Sequence, residues 1–277
     1  MIVSIVTPVL NGGAVFAQCI ESIIREQKAC RAAGLDIEVE HLIADGGSTD
    51  GSIGLAQSYG LSVLQEHGTD LHDRLNRSYF NSRGELIGLL GADDILLPGA
   101  IESIVAAYRR SGRRWVVGGL RCIDPEGCSL GTIKAPPNWI RSDIYACLGW
   151  NLGGAMATYF SPGFFKELGG FDTRYQVAAD YDLFARALAR EPFARVDRVV
   201  AGSRRNGKNF SVVKKDRRRE ESQLIAETLG PKSNVQRFAA RMLLKAWINA
   251  GHPEWLAHKL LDRAQVRLGL KSVSYFD

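Results

Sequence analysis

The run Leu86-Ile87-Gly88-Leu89-Leu90 passes without interruption into Gly91-Ala92-Asp93-Asp94. An apolar stretch of that length, closed by a glycine, fits a strand buried on both faces. Such strands belong to sheets covered by helices, which points to the α/β class. The two carboxylates that end the run need compensation, because unpaired charge at the edge of a core is costly. A divalent cation and a ligand hydroxyl would supply it, since Mg2+ and Mn2+ take oxygen ligands and share them with substrate phosphates. The alternative is that the pair caps a helix starting near Pro98, although a cap uses one carboxylate and the chain presents two.

Upstream, Ile2-Val3-Ser4-Ile5-Val6-Thr7-Pro8 is a β-rich run ended by proline, and Asn11-Gly12-Gly13 reads as a turn. Phe16, Cys19, Ile20, Ile23 and Ile24 recur at helical spacing and predict an amphipathic helix over residues 14–28. A second strand over residues 39–44 ends in Asp45-Gly46-Gly47-Ser48-Thr49-Asp50-Gly51; a third strand is expected over 61–64 and a polar helix over 71–82. Strands alternating with helices imply a mostly parallel, Rossmann-like sheet with helices on both faces. Ligands of such sheets bind beyond the carboxyl ends of the strands. Thr7, Asp45, Glu66 and the pair Asp93-Asp94 all fall there, so polar and acidic residues collect along the one edge where a site is expected.

These segments resemble a known family. Ser4-Ile5-Val6-Thr7-Pro8-Val9-Leu10-Asn11, Ile43-Ala44-Asp45-Gly46-Gly47-Ser48-Thr49-Asp50-Gly51 and Gly91-Ala92-Asp93-Asp94 are similar, in order, to three markers of family 2 glycosyltransferases with the GT-A fold. Gly169-Gly170-Phe171-Asp172, followed by Ala178-Ala179-Asp180-Tyr181-Asp182-Leu183, resembles the acceptor-side segment that carries that family's general base. The resemblance covers roughly residues 1–210. It implies a GT-A catalytic domain over residues 1–215, with a nucleotide-sugar half (1–100) and an acceptor half (101–215), and a basic helical C-terminal segment over 216–277. It further implies an inverting, metal-dependent, hexosyltransferase-like enzyme that moves sugar from a UDP-, GDP- or dTDP-linked donor to a glycan or lipid-linked acceptor, in cell-surface polysaccharide synthesis.

By that resemblance Thr7, Pro8, Asn11, Asp45, Asn76 and Asp93 belong to the nucleotide-sugar site and Asp180 is the catalytic base. A diphosphate repels carboxylates unless a cation lies between them, which makes Asp94 the candidate ligand for Mg2+ or Mn2+. Inversion requires a base that takes the acceptor's proton as the hydroxyl attacks opposite the leaving diphosphate. Asp182 competes for that role, but its spacing from Asp180 turns it to another side of a helix. Structural readings stand beside these: Asp45 as a turn residue, Asp180 as a helix cap, and Ser48, Thr49 and Asp50 as the cap of the next helix. The chain departs from many relatives at Ala179, where they carry Glu, and at Asp70, where they carry Gly; Asp73-Arg74-Leu75-Asn76 follows, with Asp73 and Asn76 on one helix face. Arg74 and Arg77 are further candidates for reaching base or phosphate. Trp150 is either an acceptor-stacking ring or a core residue, and Ser203-Arg204-Arg205-Asn206-Gly207-Lys208-Asn209 has the polarity of a lid over a diphosphate.

With 277 residues and 45% hydrophobic content the chain can bury a sizeable core, and no run of about 18 apolar residues marks a membrane span. The N-terminus lacks signal-peptide features. Five cysteines and five histidines show no metal-ligand spacing; the cysteines fit a reducing, cytoplasmic setting and the histidines read as structural. The net charge of +5 is concentrated late, in Lys214-Lys215-Asp216-Arg217-Arg218-Arg219 and in two four-residue series, Arg237, Arg241, Lys245 and Lys259, Arg263, Arg267. Phe238, Met242 and Ala246, then Leu256, Leu260, Ala264 and Leu268, face away from them. Two basic amphipathic helices separated at Gly251-His252-Pro253 follow, either solvated along their charged faces or placed peripherally at the inner face of an anionic plasma membrane. No nucleic-acid module accompanies the charge. Two rival classes fit less of the chain. A nucleotide-dependent oxidoreductase lacks its Gly-x-Gly-x-x-Gly after the first strand, and a non-catalytic basic adaptor leaves Asp45, Asp93, Asp94 and Asp180 without a role.

Overall fold

β1 (Ile2–Val9) runs through the centre of the first half of the sheet, with Val3 and Ile5 entering one core layer and Val6 the other. The fold is seen in a computed structural model that describes residues 1–65, 70–207, 209–271 and 274–276. Glu66, His67 and Lys208, singled out above, lie outside the described residues. In chain order there follow α1 (Phe16–Ala32), β2 (Glu38–Asp45), α2 (Ser52–Ser58), β3 (Ser62–Gln65), α3 (Leu71–Phe80), β4 (Leu86–Leu89), β5 (Ile95–Leu96), α4 (Ala100–Ser111), β6 (Trp115–Ile123) and β7 (Ser129–Ile133). Then come α5 (Ser142–Tyr145), β8 (Thr158–Phe160), α6 (Pro162–Glu167), α7 (Ala179–Arg190), β9 (Ala194–Arg204), α8 (Phe210–Val213), α9 (Lys215–Leu229), α10 (Asn234–Gly251) and α11 (Pro253–Arg267).

The strands make one nine-stranded sheet in the order β3-β2-β1-β4-β8-β6-β9-β5, with β7 beside β6. Its first half, β3-β2-β1-β4, is parallel throughout, as the strand–helix alternation predicts. The second half is mixed: β8 runs antiparallel to both β4 and β6, while β9 returns parallel to β6. Register sets Pro8 beside Ala44 and Val9 beside Asp45, so the loops after β1 and β2 emerge together. α1 buries Phe16, Cys19, Ile20 and Ile23 on one face of the sheet. On the other face Trp115 stacks on Phe160, with ring centroids 5.6 Å apart, and meets Phe184 and Phe193 edge-on.

The C-terminal helices pack against this core. Ile225, Leu244, Ile248 and Trp255 are buried in the same cluster as Trp115 and Phe184. α11 sits on β7 at Gly131, whose φ is +109° and whose missing Cβ would fall 2.6 Å from the Trp255 Cα. A side chain there is excluded by space and by backbone conformation alike. Among the described residues no helix is long and apolar enough to cross a membrane, and all five cysteines are unpaired.

Candidate active site

A cleft of about 960 Å3 opens at the carboxyl end of the parallel strands, and Pro8, Asp94, Asn151, Asp180 and Arg205 are among the residues that line it. The loop that follows β4 brings Asp94 to its lining, with Asp93 beside it. Neither carboxylate caps α4. That helix is served from α1, where the buried Glu26 accepts the Gly99 and Ile101 N–H groups at 3.2 Å each. Asp94 instead reaches across to the end of β9, where its Oδ1 accepts the Arg204 N–H at 2.9 Å. Asp93 Oδ2 accepts from the Asn209 amide at 3.2 Å. The Arg204 side chain is fully occupied in holding this loop, donating to the Asp93 carbonyl and to Gln18.

Burial pushes the Asp94 carboxyl well above the usual carboxylate range, and the neighbouring Asp93 charge adds to the rise; Asp93 is raised too, again chiefly by burial. Both want a positive charge. The chemistry of the site fits a hard divalent cation. A Cβ built on Gly91 would meet Asp94 Oδ2 at 2.6 Å and Asp93 Oδ1 at 3.2 Å, so the oxygens not engaged with β9 converge on space that only glycine leaves open. Two carboxylates are too few to enclose a cation, and the described residues hold no cluster of three or more His, Cys, Asp or Glu for a metal. Phosphate oxygens and water would complete the shell, as is usual for Mg2+. Arg205 lines the same cleft, and its buried Nε has no hydrogen-bond partner among the described residues.

Across the cleft, Asp180 stands in the first turn of α7. Its Oδ2 accepts from Asn151 Nδ2 at 3.1 Å and its Oδ1 from the Tyr181 N–H at 2.8 Å. The orientation of Asn151 is itself imposed: the Tyr145 hydroxyl donates to Asn151 Oδ1 at 2.7 Å, which turns the amide nitrogen to the carboxylate. Burial raises the Asp180 pKa; the Asn151 bond opposes the rise. His72 also lines the cleft, and burial lowers its pKa, leaving a neutral ring 3.7 Å from Asp70. Asp182 points away, paired with Arg186 at 2.7 Å, whose guanidinium also binds the Gly170 carbonyl. Asp180 is not the N-cap residue of α7, which is Ala178, but its Oδ1 does take the first-turn Tyr181 N–H. The three N–H groups of residues 176–178 that lead into that helix are taken by one carboxylate, Glu221 of α9, at 2.9 Å each.

The other expected donor-site residues are distributed unevenly. Asp45 is buried at the end of β2 and accepts from the Gly47 and Ser48 N–H groups, so the turn reading describes its present bonds. Thr7 is fully buried with its hydroxyl 2.9 Å from His41 Nε2, and His41 is pushed down to about 3 by burial. Asn11 joins the two loops by accepting the Thr49 N–H at 2.8 Å. Asp50 gathers the Gly13 and Ser52 N–H groups, which confirms a capping role beside α2. Asn76 is a strut: its amide donates to the Phe171 carbonyl and accepts the Phe171 N–H, both at 2.8 Å, which ties α3 to the loop before α7. Asp70 is the N-cap of α3, accepting the His72 N–H. Arg74 is buried under the Asp45-Gly46 turn, and Arg77 pairs with Asp73 at the surface.

Much of the two basic stripes is solvent-exposed, Arg241, Lys245 and Arg263 among them, and the stripes also border the cleft. Arg237, Arg241, Lys245, Lys259 and Arg263 line the cleft; Arg267 is the member of the six that does not. Trp150 packs on Trp255 of α11, with rings 6.3 Å apart and 23° from parallel. Tyr145, Asn151, Glu221 and these cations were not legible as site residues. The first two carry no local motif, and Glu221 reads as half of an ordinary i,i+4 pair with Arg217.

The glycosyl transferase family 2 model matches residues 4–161. The chain is 25% identical over 228 residues to the chondroitin synthase of Escherichia coli, covering 79% of this chain and 31% of that protein. It is 26% identical over 207 residues to a PGL/p-HBAD biosynthesis glycosyltransferase of Mycobacterium tuberculosis, covering 67% of this chain and 69% of that one. In structure it is similar to S. aureus TarS 1-349 (TM-score 0.59, 13% identity, 98% of this chain and 76% of that one). It is also similar to the mannosyltransferase PcManGT of Pyrobaculum calidifontis (TM-score 0.55, 16% identity, 95% and 75%). The curled, helix-flanked sheet is that of the GT-A glycosyltransferases, and the chain belongs to glycosyl transferase family 2.

Proposed function

We propose that this glycosyltransferase is inverting and metal-dependent, taking sugar from a nucleoside-diphosphate donor bound over Asp93 and Asp94 and passing it to a hydroxyl activated by Asp180. The observation that carries the reading is that Asp94, at the end of the parallel strands, and Asp180, on α7, line one cleft. Asp94 and Asp93 would hold Mg2+ or Mn2+, which when bound supplies charge neutralisation for the departing diphosphate. Pro8, Asn11 and the Asp45 turn border the nucleotide, and Arg205 offers its unpartnered Nε to phosphate oxygens. Thr7 shapes this edge from beneath.

Asp180, oriented through Tyr145 and Asn151, takes the acceptor's hydroxyl proton as that oxygen bonds to the anomeric carbon. The bond from that carbon to the diphosphate oxygen breaks, and the nucleoside diphosphate leaves with its electron pair. Solved neighbours support a nucleotide-sugar donor, since TarS is seen with UDP and UDP-GlcNAc and PcManGT with GDP-Man and Mn2+. The acceptor is a glycan or lipid-linked molecule of cell-surface polysaccharide synthesis, met at the cytoplasmic face of a membrane. Exposed apolar residues of α10 and α11, among them Val235, Phe238, Leu260 and Leu261, would touch that membrane.

A melting-temperature panel with UDP, GDP and dTDP, each with and without Mn2+, tests the donor site. A rise of several degrees with one nucleotide, only with metal, is expected. No metal-dependent rise with any of them overturns the reading.

A further inference from the structure

We infer that the limb of the cleft walled by α9, α10 and α11 is a subsite for the phosphate of an amphiphilic acceptor, with the acceptor's apolar chain laid along α10. This rests on Asp180 being the acceptor's base and adds the chemical class of what that base serves.

Arg218, Arg237, Arg241, Lys245, Lys259 and Arg263 come from three helices and all line this limb, against the carboxylate of Glu227. Several are held in place before any ligand arrives. Arg237 donates to the Pro231 carbonyl at 2.9 Å, Arg241 Nε donates to the Cys147 carbonyl at 3.2 Å, and Lys259 lies 4.6 Å from the Trp255 ring centroid. A donor diphosphate already has its partners at the Asp93-Asp94 pair, so these cations serve a second anion. Guanidinium groups suit phosphate oxygens because their fork of N–H donors binds two at once.

The limb does not end in plain solvent. Phe238 lines it and is 67% exposed. Val235 and Met242 follow at 76% and 46% exposure, three residues before and four after it, on the same helical face. An anionic pocket partner whose exit is an apolar strip matches a headgroup with a hydrocarbon tail. A soluble anionic sugar would find no use for the strip.

Calorimetry on the full chain in metal-free buffer tests the proposal, with n-dodecyl phosphate below its micellar concentration, n-dodecyl maltoside and inorganic pyrophosphate as probes. Dodecyl phosphate is expected to bind at least about tenfold more tightly than either of the others, and at least about tenfold more weakly to Arg241→Gln/Lys245→Gln. The second variant, Lys245→Gln/Arg263→Gln, changes two exposed side chains and should weaken binding in the same direction while melting like the parent. Equal binding by parent and both variants overturns the subsite. Equal binding of the maltoside overturns the anion requirement, and equal binding of pyrophosphate overturns the amphiphile. The donor reading is scored separately: Asp94→Asn should lose Mn2+-dependent nucleoside diphosphate binding yet bind dodecyl phosphate as the parent does.

Discussion

The amide of Asn151 donates to Asp180 Oδ2 at 3.1 Å and cannot be flipped without breaking its bond from Tyr145. The Asp180 carboxylate is therefore oriented by a polar chain that begins in α5 and ends on α7. This arrangement, together with the capping and packing contacts, leads to four expected outcomes.

Asp180→Asn should retain nucleoside diphosphate binding and lose turnover by roughly 10²–10⁴-fold, the range for a lost general base. Asp182→Asn should keep turnover within a few-fold and lower the melting temperature, because it breaks the buried pair with Arg186. Steady-state kinetics with melting curves separate the two. Near-normal turnover in the first and collapse in the second would transfer the role.

The pH profile follows from what surrounds Asp180. Burial disfavours its anion and raises the pKa, whereas the Asn151 N–H favours the anion. The acid limb of the kcat profile should therefore lie above the ordinary aspartate value of about 3.9. Asn151→Leu removes the stabilising donor and should move that limb to still higher pH. A limb that stays in place, or moves to lower pH, contradicts the assignment.

Glu221→Gln should cost about 1–3 kcal/mol, because an amide cannot accept three N–H groups as a carboxylate does. Burial alone would raise the Glu221 pKa, but the three backbone bonds and Arg217 more than offset this, and the net shift is downward. Its contribution is therefore complete above the unfolded value of about 4.3 and fades as pH falls through the lower folded value. Urea titrations at pH 7 and pH 3 should show the difference between parent and variant shrinking at the lower pH.

Gly131→Ala places a methyl group against the backbone of Trp255 and forces a residue with a side chain to keep φ near +109°. Overpacking and strain of this kind cost about 1–3 kcal/mol each. Trp150 and Trp255 report the lifting of α11 directly, so a change in tryptophan emission should accompany the fall in melting temperature. An unchanged spectrum and melting point would show that α11 is not seated there.

Much of the first half was legible because its signals are local. The strand before Asp93-Asp94, the helix carrying Phe16, Cys19 and Ile20, and the turn after Asp45 all announce themselves by period or by glycine. The carboxyl-edge rule then placed Asp94 near the site without knowledge of any contact. Asn76 shows what helical spacing leaves open: it names the face a residue occupies, and here the loop holding Phe171 bonds that face. The basic helices show the same. Amphipathic periodicity separates charge from apolar surface but does not say what the charge faces, and here Arg241, Lys245 and Arg263 are exposed and line a cleft that Phe238 lines too. The antiparallel β8 is three residues long and carries no turn signal of its own.

The seating of Trp255 against Gly131 and Trp150 gives the enzyme a timetable. A chain growing from its N-terminus delivers Asp93, Asp94 and Asp180 while Glu221, Arg241 and Trp255 are still to be made. At that stage these carboxylates exist without the far wall of their cleft and without the Glu221 carboxylate that holds the residues leading into α7. The cleft takes its shape only when α9, α10 and α11 dock on strands made well before them, which ties its form to long-range contacts across the chain.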